Sequence, residues 1–188
     1  MVDSITAKGD AMKSLAVLLE YPRKSFLKDL DTVMVELDES CPQAAASIRK
    51  FRQELGERSV CDMEELFTRT FDVAPIVCPY ITAHIYGDEN FDRGRLMSAL
   101  SSKFLERGFE PGTELPDHIA VLLRFAPYLD ADELSELSDF CLKQPVGSLV
   151  DSLREAKSPY LHVFEAIQQI IEGRSVFRAG LEGAGRHD

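Results

Sequence analysis

Apolar residues recur at helical spacing along most of the chain, and this periodicity restricts the possible folds more than any other feature. Apolar side chains fall on one helical face within residues 26–37, 63–71, 115–129, 134–153 and 160–171. Glycine and proline residues lie between these segments and predict the ends of helices. The period-2 alternation typical of strands is nearly absent. Because a helix with one apolar face buries it against other helices, the sequence predicts an all-α fold, a single-domain helical bundle of about eight or nine helices.

The chain has 188 residues, enough for one domain with its own apolar core. We expect residues 1–172 to form this helical domain. Residues 173–188 hold four glycines and little apolar surface to bury, which is typical of a flexible C-terminal tail. Residues 72–87, DVAPIVCPYITAHIYG, show no clear helical period but are rich in apolar and aromatic side chains. A loop of this length inside a domain is uncommon and often functional, so we expect a binding loop here.

The net charge of −11 is unevenly distributed along the chain. Residues 61–92 carry seven acidic side chains against Arg69 alone, and residues 110–140 carry eight against Arg124 alone. Such concentrated negative charge repels phosphates, so the sequence predicts no nucleic-acid partner. It favours a basic partner instead and would steer its approach. The alternative is that the acidic residues serve only to keep the protein in solution.

Cysteine spacing and the N-terminal residues indicate a compartment. The four cysteines, Cys41, Cys61, Cys78 and Cys141, are far apart and form no C-x-x-C pair, which predicts reduced thiols and no metal site. The N-terminal residues lack the basic start and apolar stretch of a secretory signal. No apolar run approaches the roughly 20 residues that span a bilayer, which predicts no membrane insertion. We therefore expect a cytoplasmic protein.

Sequence signatures of enzymes are missing. The chain has no G-x-S-x-G elbow, no P-loop and no G-x-G-x-x-G motif. His84 and His118 are the best candidates for a general base, because each lies near an acidic residue in the sequence, Asp88 and Asp117 respectively. Neither histidine is accompanied by a nucleophile or a cofactor loop. We therefore predict that the chain is not an enzyme and uses no cofactor, with a His-dependent hydrolase as an alternative.

Aromatic, histidine and acidic side chains are concentrated in two segments that we expect to share a groove. An apolar floor with aromatic walls and carboxylates at the rim suits a peptide in which arginine stands beside apolar residues, because both groups bind guanidinium. The residues expected to line this groove are Tyr80, His84, Tyr86, Asp88, Asp117 and His118. Alternatively, Gly87-Asp88 and Pro116-Asp117 mark helix N-termini, where an acidic side chain accepts hydrogen bonds from free amides.

Three groups of residues, taken in order, carry a resemblance to a known family. The first is Leu18-Leu19-x-Tyr21-Pro22. The second is Thr70-Phe71-Asp72, then Pro79-Tyr80-x-Thr82-x-His84-Ile85-Tyr86-Gly87-Asp88, then Arg93-Gly94-x-Leu96-Met97. The third is Gly108-Phe109, then Glu114-Leu115-Pro116-Asp117-His118-Ile119-x-x-Leu122-Leu123-x-Phe125. From about residue 12 to about residue 172, the chain resembles the NarJ/TorD/DmsD redox-enzyme maturation chaperones, in their nitrate reductase delta-subunit branch.

This resemblance implies an all-α fold and no catalytic activity. Members of the family bind the catalytic subunit of a molybdopterin-containing oxidoreductase, such as nitrate reductase or a dimethyl sulfoxide reductase-like enzyme, often at its N-terminal leader peptide. They hold that subunit until the molybdenum cofactor is inserted, and they prevent early export or membrane docking. Both a monomer and a homodimer are compatible with the sequence, because helical chaperones can exchange elements between subunits.

The resemblance also implies a set of client-binding residues. The family's loop motif and helix-start motif correspond to Tyr86, Gly87 and Asp88 and to Pro116, Asp117 and His118. Leu122 and Arg124, on the predicted helix that follows, complete the set. Arg124 stands where many relatives carry an acidic residue, so we expect it to alter which leader is accepted. A permanent helical adaptor that holds two folded proteins together is the alternative interpretation of the same residues.

Overall fold

The structure, a computed structural model, describes the backbone of residues 4–87 and 91–183 and the side chains of residues 6–87 and 91–173. Within these ranges the secondary structure is helical, without any strand beyond one isolated β-bridge. The helices are α1 (Ser4–Ala16), α2 (Phe26–Ser40), α3 (Pro42–Leu55), α4 (Val60–Phe71), α5 (Ile81–Tyr86), α6 (Phe91–Glu106), α7 (Ile119–Phe125), α8 (Ala131–Glu136), α9 (Lys143–Glu155) and α10 (Leu161–Gly183).

Helices α8 and α9 are continuous, because a π-helical segment, Leu137–Leu142, joins them. Single 3-10 turns, Val17–Leu19 and Ala126–Tyr128, follow α1 and α7. Counted in this way, the described ranges hold nine separate helices. The prediction of an all-α, single-domain bundle is therefore confirmed. No helix in the described part of the chain is both long enough and apolar enough to cross a membrane.

Local chemistry sets several helix ends. At the start of α4, the Ser59 hydroxyl accepts a hydrogen bond from the Asp62 amide, and the Asp62 carboxylate accepts one from the Ser59 amide. This reciprocal pair satisfies two amides that the helix leaves free. Asp130 and Glu133 form the same arrangement at the start of α8. Gly87 ends α5 at φ 77°, a backbone conformation that favours glycine.

The core is centred on α10, which packs against α3 and α9, while α3 packs on its other side against α2. The buried rings of Phe51 and Tyr160 lie 5.2 Å apart between centroids, and Phe71 contacts Tyr160 at 4.8 Å. Aromatic pairs in such offset or edge-on arrangements contribute beyond the area they bury. A second aromatic cluster joins α6 to α7, where the Phe104 and Phe125 centroids are 4.6 Å apart.

Two boundaries differ from the sequence prediction. The expected binding loop, residues 72–87, contains a short helix, α5. Ile81 and Thr82, in the first turn of this helix, are buried. Helix α7 begins at Ile119, several residues later than the periodicity from residue 115 predicts. Backbone helix continues to Gly183 in α10. The division into a domain of residues 1–172 and a flexible tail of residues 173–188 stays a prediction.

Candidate functional site

An antiparallel bridge brings the two predicted motifs together. Tyr80 pairs with His118, and two backbone hydrogen bonds of 2.9 Å flank the bridge. The Ile81 amide donates to the Asp117 carbonyl, and the Ile119 amide donates to the Pro79 carbonyl. The start of α5 is thereby fixed against the start of α7. Residues that are distant in the sequence become immediate neighbours at this point.

Asp117 lies beneath this bridge and is completely buried. Its Oδ2 accepts a hydrogen bond from the Thr82 hydroxyl and lies 3.9 Å from Nη2 of Arg93. Arg93 Nε donates to the same Thr82 oxygen at 2.9 Å. The other carboxylate oxygen, Oδ1, has no hydrogen-bond partner among the described residues. Asp117 therefore ties the start of α5, the start of α6 and the start of α7 into one unit.

His118, and not Asp117, caps the N-terminus of α7. Its Nδ1 accepts a hydrogen bond of 3.2 Å from the Ala120 amide, so the alternative interpretation of Pro116-Asp117 as the helix start is wrong. Burial lowers the pKa of the His118 imidazole, and it outweighs the opposing effect of Glu114 and Asp117. A neutral ring that accepts through Nδ1 carries its proton on Nε2.

Tyr80 and His118 border a cleft of about 850 Å³. Their rings meet edge to face, with 5.3 Å between the centroids. The cleft is bounded by the segment after α1, the end of α4, the loop before α5, residues 111–114 and helix α7. Its aromatic side chains are Tyr21, Phe67, Phe71 and Tyr80. An open cavity of this size with aromatic side chains in its lining can hold several side chains of a bound segment.

The charges around the cleft are of both signs. Glu20, Asp72 and Glu114 line it together with Arg23 and Arg124. The Tyr80 hydroxyl donates to Glu114 Oε2 at 3.3 Å, and burial, followed by the Glu114 charge, raises the pKa of Tyr80. The acidic spans of the sequence thus contribute carboxylates to the cleft. Two arginines balance most of that charge within it.

The other described site residues that were predicted in this loop lie outside the lining of the cleft. His84 Nε2 lies 2.8 Å from the Cys78 carbonyl oxygen, to which it donates, and so closes the loop on itself. Tyr86 is the half-buried last residue of α5, and Gly87 terminates that helix. Neither His84, Tyr86 nor Gly87 lines the cleft. Asp88 lies outside the described residues.

The predicted residues near α7 separate into two groups. Arg124 lines the cleft, with a third of its side chain exposed. Leu122 is 1% exposed and belongs to the core, and Pro116 is half-buried next to the bridge. The structure therefore brings Tyr80, His118 and Arg124 to one cavity. The role of the predicted set in binding a client stays a prediction.

Sequence reasoning missed much of the cleft wall. The sequence places Phe67 only on an apolar helix face and Phe71 also in the second motif, yet both contribute to the cavity, with 5.0 Å between their centroids. Tyr21 stacks edge-on against Phe67 at 5.6 Å and is more than half exposed. In the sequence, the first motif, which contains Tyr21-Pro22, is the feature that indicates this wall. The acidic wall residue Glu114 likewise stood in the third motif.

Neither His84 nor His118, the two candidate bases, pairs with a carboxylate among the described residues. Asp117 bonds to Thr82, and no hydrogen bond or ion pair joins its carboxylate to the His118 ring. His84 is occupied by a backbone carbonyl. Within the same ranges, no group of three or more His, Cys, Asp or Glu residues is arranged to hold a metal ion. The site is an open cleft lined by aromatic and charged side chains.

Comparison with known proteins assigns the chain to a family. No curated protein matches the chain. The sequence profile described as nitrate reductase delta subunit matches residues 35–166, which is well over half of the chain. The matched region includes both segments of the bridge and all of the cleft walls except the segment after α1. The chain belongs to the nitrate reductase delta subunit family.

Proposed function

We propose that the protein is a maturation chaperone whose cleft binds a segment of the catalytic subunit of a molybdopterin-containing oxidoreductase such as nitrate reductase. The segment is the leader peptide or the N-terminal region of that subunit. While the chaperone covers it, the export or membrane-docking machinery cannot reach it, and the molybdenum cofactor can be inserted. The chaperone carries out no bond chemistry itself and needs no cofactor of its own.

The observation that carries this proposal is the position of Tyr80 and His118 in one open cavity. Four aromatic rings provide the apolar contact surface, and Glu114 stands beside the Tyr80 hydroxyl. A guanidinium group from the client can stack on such rings while a carboxylate accepts its hydrogen bonds. The bridge and the buried Asp117 hold these groups in place before the client arrives, which reduces the entropy lost on binding.

The expected affinity is moderate, because a chaperone must release its client. A dissociation constant near 1 μM corresponds to about −8 kcal/mol. Most of this free energy would come from a few buried aromatic and arginine contacts, since hot spots and not total area determine affinity. We expect truncation of Tyr80 to remove a substantial part of it.

The test is calorimetric titration with synthetic leader peptides from the catalytic subunit, one with its arginines and one with those arginines replaced by alanine. The arginine peptide should bind, and its alanine counterpart should bind at least about tenfold more weakly, a difference of about 1.4 kcal/mol. Tyr80→Ala should weaken binding, while Tyr80→Phe separates the ring from the hydroxyl that bonds to Glu114.

Tyr128→Ala is the matched control. Tyr128 is also a partly exposed tyrosine, at 45%, but it packs on Phe109 outside the cleft. The proposal fails if neither the peptides nor the cofactor-free catalytic subunit binds. A complex that persists after the cofactor has been inserted would instead identify a permanent adaptor.

A further inference from the structure

We propose that the cleft recognises a carboxylate in the bound segment, in addition to a basic side chain, and that Arg124 is the residue that pairs with this carboxylate. The inference rests on the proposed function, because it concerns the same cleft. It assigns the client a chemical character, a segment in which an acidic residue accompanies the basic one. It also makes Arg124 a determinant of which client is accepted.

The Arg124 guanidinium uses little of its capacity for hydrogen bonds. Nη2 donates to the Pro111 carbonyl oxygen at 2.6 Å. Nη1 forms an ion pair with Glu20 Oε1 at 3.8 Å, which is beyond hydrogen-bond distance. Nε is buried and has no hydrogen-bond partner among the described residues. Since a guanidinium has five N–H donors, most of them are not used by acceptors of the described residues.

A carboxylate is the acceptor that best matches this arrangement. It binds a guanidinium through two parallel hydrogen bonds, and the charge on both partners strengthens them. One third of the Arg124 side chain is exposed, so its accessible N–H groups can exchange water for a carboxylate of the client. The Glu20 carboxylate is too distant and too exposed to supply these bonds fully, with 37% of its side chain accessible.

The rest of the cleft agrees with a client of mixed charge. Arg23 also lines the cavity, and its guanidinium makes no hydrogen bond or ion pair among the described residues. On the acidic side, Glu114 accepts from Tyr80 and Asp72 lines the end of α4. A segment with basic residues alone could pair with the carboxylates of the cleft but would leave the two arginines without a partner in the client.

Arg124 also supports the cleft wall, and the test must separate the two roles. Through Pro111 it holds the loop in which Gly112 adopts φ 87°, and the Gly112 position lies against its guanidinium. Removing the side chain could therefore disturb the wall for every client. Pairing with a carboxylate, in contrast, affects only clients that carry one. A double-mutant cycle between protein and peptide measures this difference.

The probes are overlapping synthetic peptides that cover the N-terminal region of the catalytic subunit. In the tightest-binding peptide, each Asp or Glu is replaced singly by Asn or Gln. For the wild-type protein, one such replacement should weaken binding about tenfold, or about 1.4 kcal/mol. For Arg124→Gln the same replacement should change the dissociation constant less than about twofold, because the partner charge is already gone.

Two further variants serve as controls for this measurement. Arg124→Lys keeps the charge but not the paired donors, so the carboxylate replacement should cost an intermediate factor. Arg154→Gln removes an equal charge from α9, where Arg154 pairs with Asp151 on the surface, and it should behave like the wild type. Thermal midpoints of all variants report on folding. If Arg124→Gln proves unstable, the comparison of Arg124→Lys with the wild type decides.

The outcomes distinguish this inference from the proposed function. If peptides bind but every carboxylate replacement weakens wild type and Arg124→Gln equally, the inference is overturned and the chaperone proposal stands. A tightest-binding peptide without any acidic residue would overturn the inference in the same way. If neither peptides nor the cofactor-free subunit binds at all, the proposed function fails and takes the inference with it.

Discussion

Replacing Asp117 tests whether the buried carboxylate holds the two motifs together. Asp117 is completely inaccessible to solvent, and Asp117→Ala removes the acceptor for the Thr82 hydroxyl and the ion pair with Arg93. The Thr82 side chain is itself buried, so water cannot replace the lost acceptor there. The change therefore acts on the folded state directly beneath the Tyr80–His118 bridge.

The magnitude follows from these two contacts. A hydrogen bond to a charged acceptor contributes about 1.5–3 kcal/mol, and loss of one partner of a buried ion pair costs about 3–5 kcal/mol. Arg93 retains 22% exposure and lies 3.9 Å away, so hydration recovers much of the second amount. The unpartnered Oδ1 atom and the desolvated charge disappear as well, which offsets part of the loss. We expect Asp117→Ala to lower the free energy of unfolding by about 2–4 kcal/mol.

Urea denaturation followed by circular dichroism measures this difference, provided that the m-value is unchanged. Asp117→Asn keeps the shape and an acceptor for Thr82, so it should cost about half as much or less. Asp151→Ala, at an exposed acidic residue that pairs with Arg154 on the surface of α9, should have little effect. A change below about 0.5 kcal/mol for Asp117→Ala would refute this structural role. Asp117 is expected to affect the client only through the start of α5, which it holds in place. Asp117→Ala should therefore also weaken client binding, because it releases that segment.

Other predictions concern the core, a helix end and pH. Phe51→Ala, at a fully buried ring, should cost about 3–5 kcal/mol in denaturant titrations, and a loss below about 1 kcal/mol would contradict its place in the core. Gly87→Ala should destabilise by about 1–3 kcal/mol through its positive φ, whereas helical Gly94→Ala should not, and equal midpoints would contradict this. Bonding to Lys103 is the main cause that lowers the pKa of Glu133 to about 2 from 4.5. The ionised Glu133 contributes fully to stability above pH 4.5, and this contribution disappears as the pH falls through 2. The thermal midpoint of the wild type should therefore fall between pH 4.5 and pH 2, and that of Glu133→Gln should fall less.

The helices were predictable because their signal is local. A stripe of apolar residues at helical spacing identifies α2, α4 and α10 from short windows of sequence. Helix α3, which packs between α2 and α10, was not among the predicted stripes, and part of its buried face consists of Ala44 and Ala45. Alanine packs closely between helices but contributes little to an apolar pattern. Packing, which the sequence pattern does not express, determined its position.

The site was predictable only in part, because its contacts are not local. Tyr80 and His118 were expected to share a groove, and they do border one cavity. The alternative interpretation of Asp117 as a helix cap is wrong, although Pro116-Asp117 has the local signature of a helix start. Thr82 and Arg93, from other segments, provide the carboxylate with partners that no local rule reveals. The Tyr21 wall was missed for the same reason.

Charge on the surface and charge in the cleft have different consequences for a chaperone. The net charge of −11 acts over a distance and would speed the approach of a basic leader, but salt limits its range to about 8 Å at physiological ionic strength. Inside the cleft, Arg23 and Arg124 offset most of the three carboxylates, so the cavity itself gives only moderate attraction to a cation. Fast approach combined with moderate affinity implies fast release, since the dissociation constant is the ratio of the two rates. A protein that must give up its client after cofactor insertion needs this combination, and a cleft lined with carboxylates alone would hold a basic leader too long.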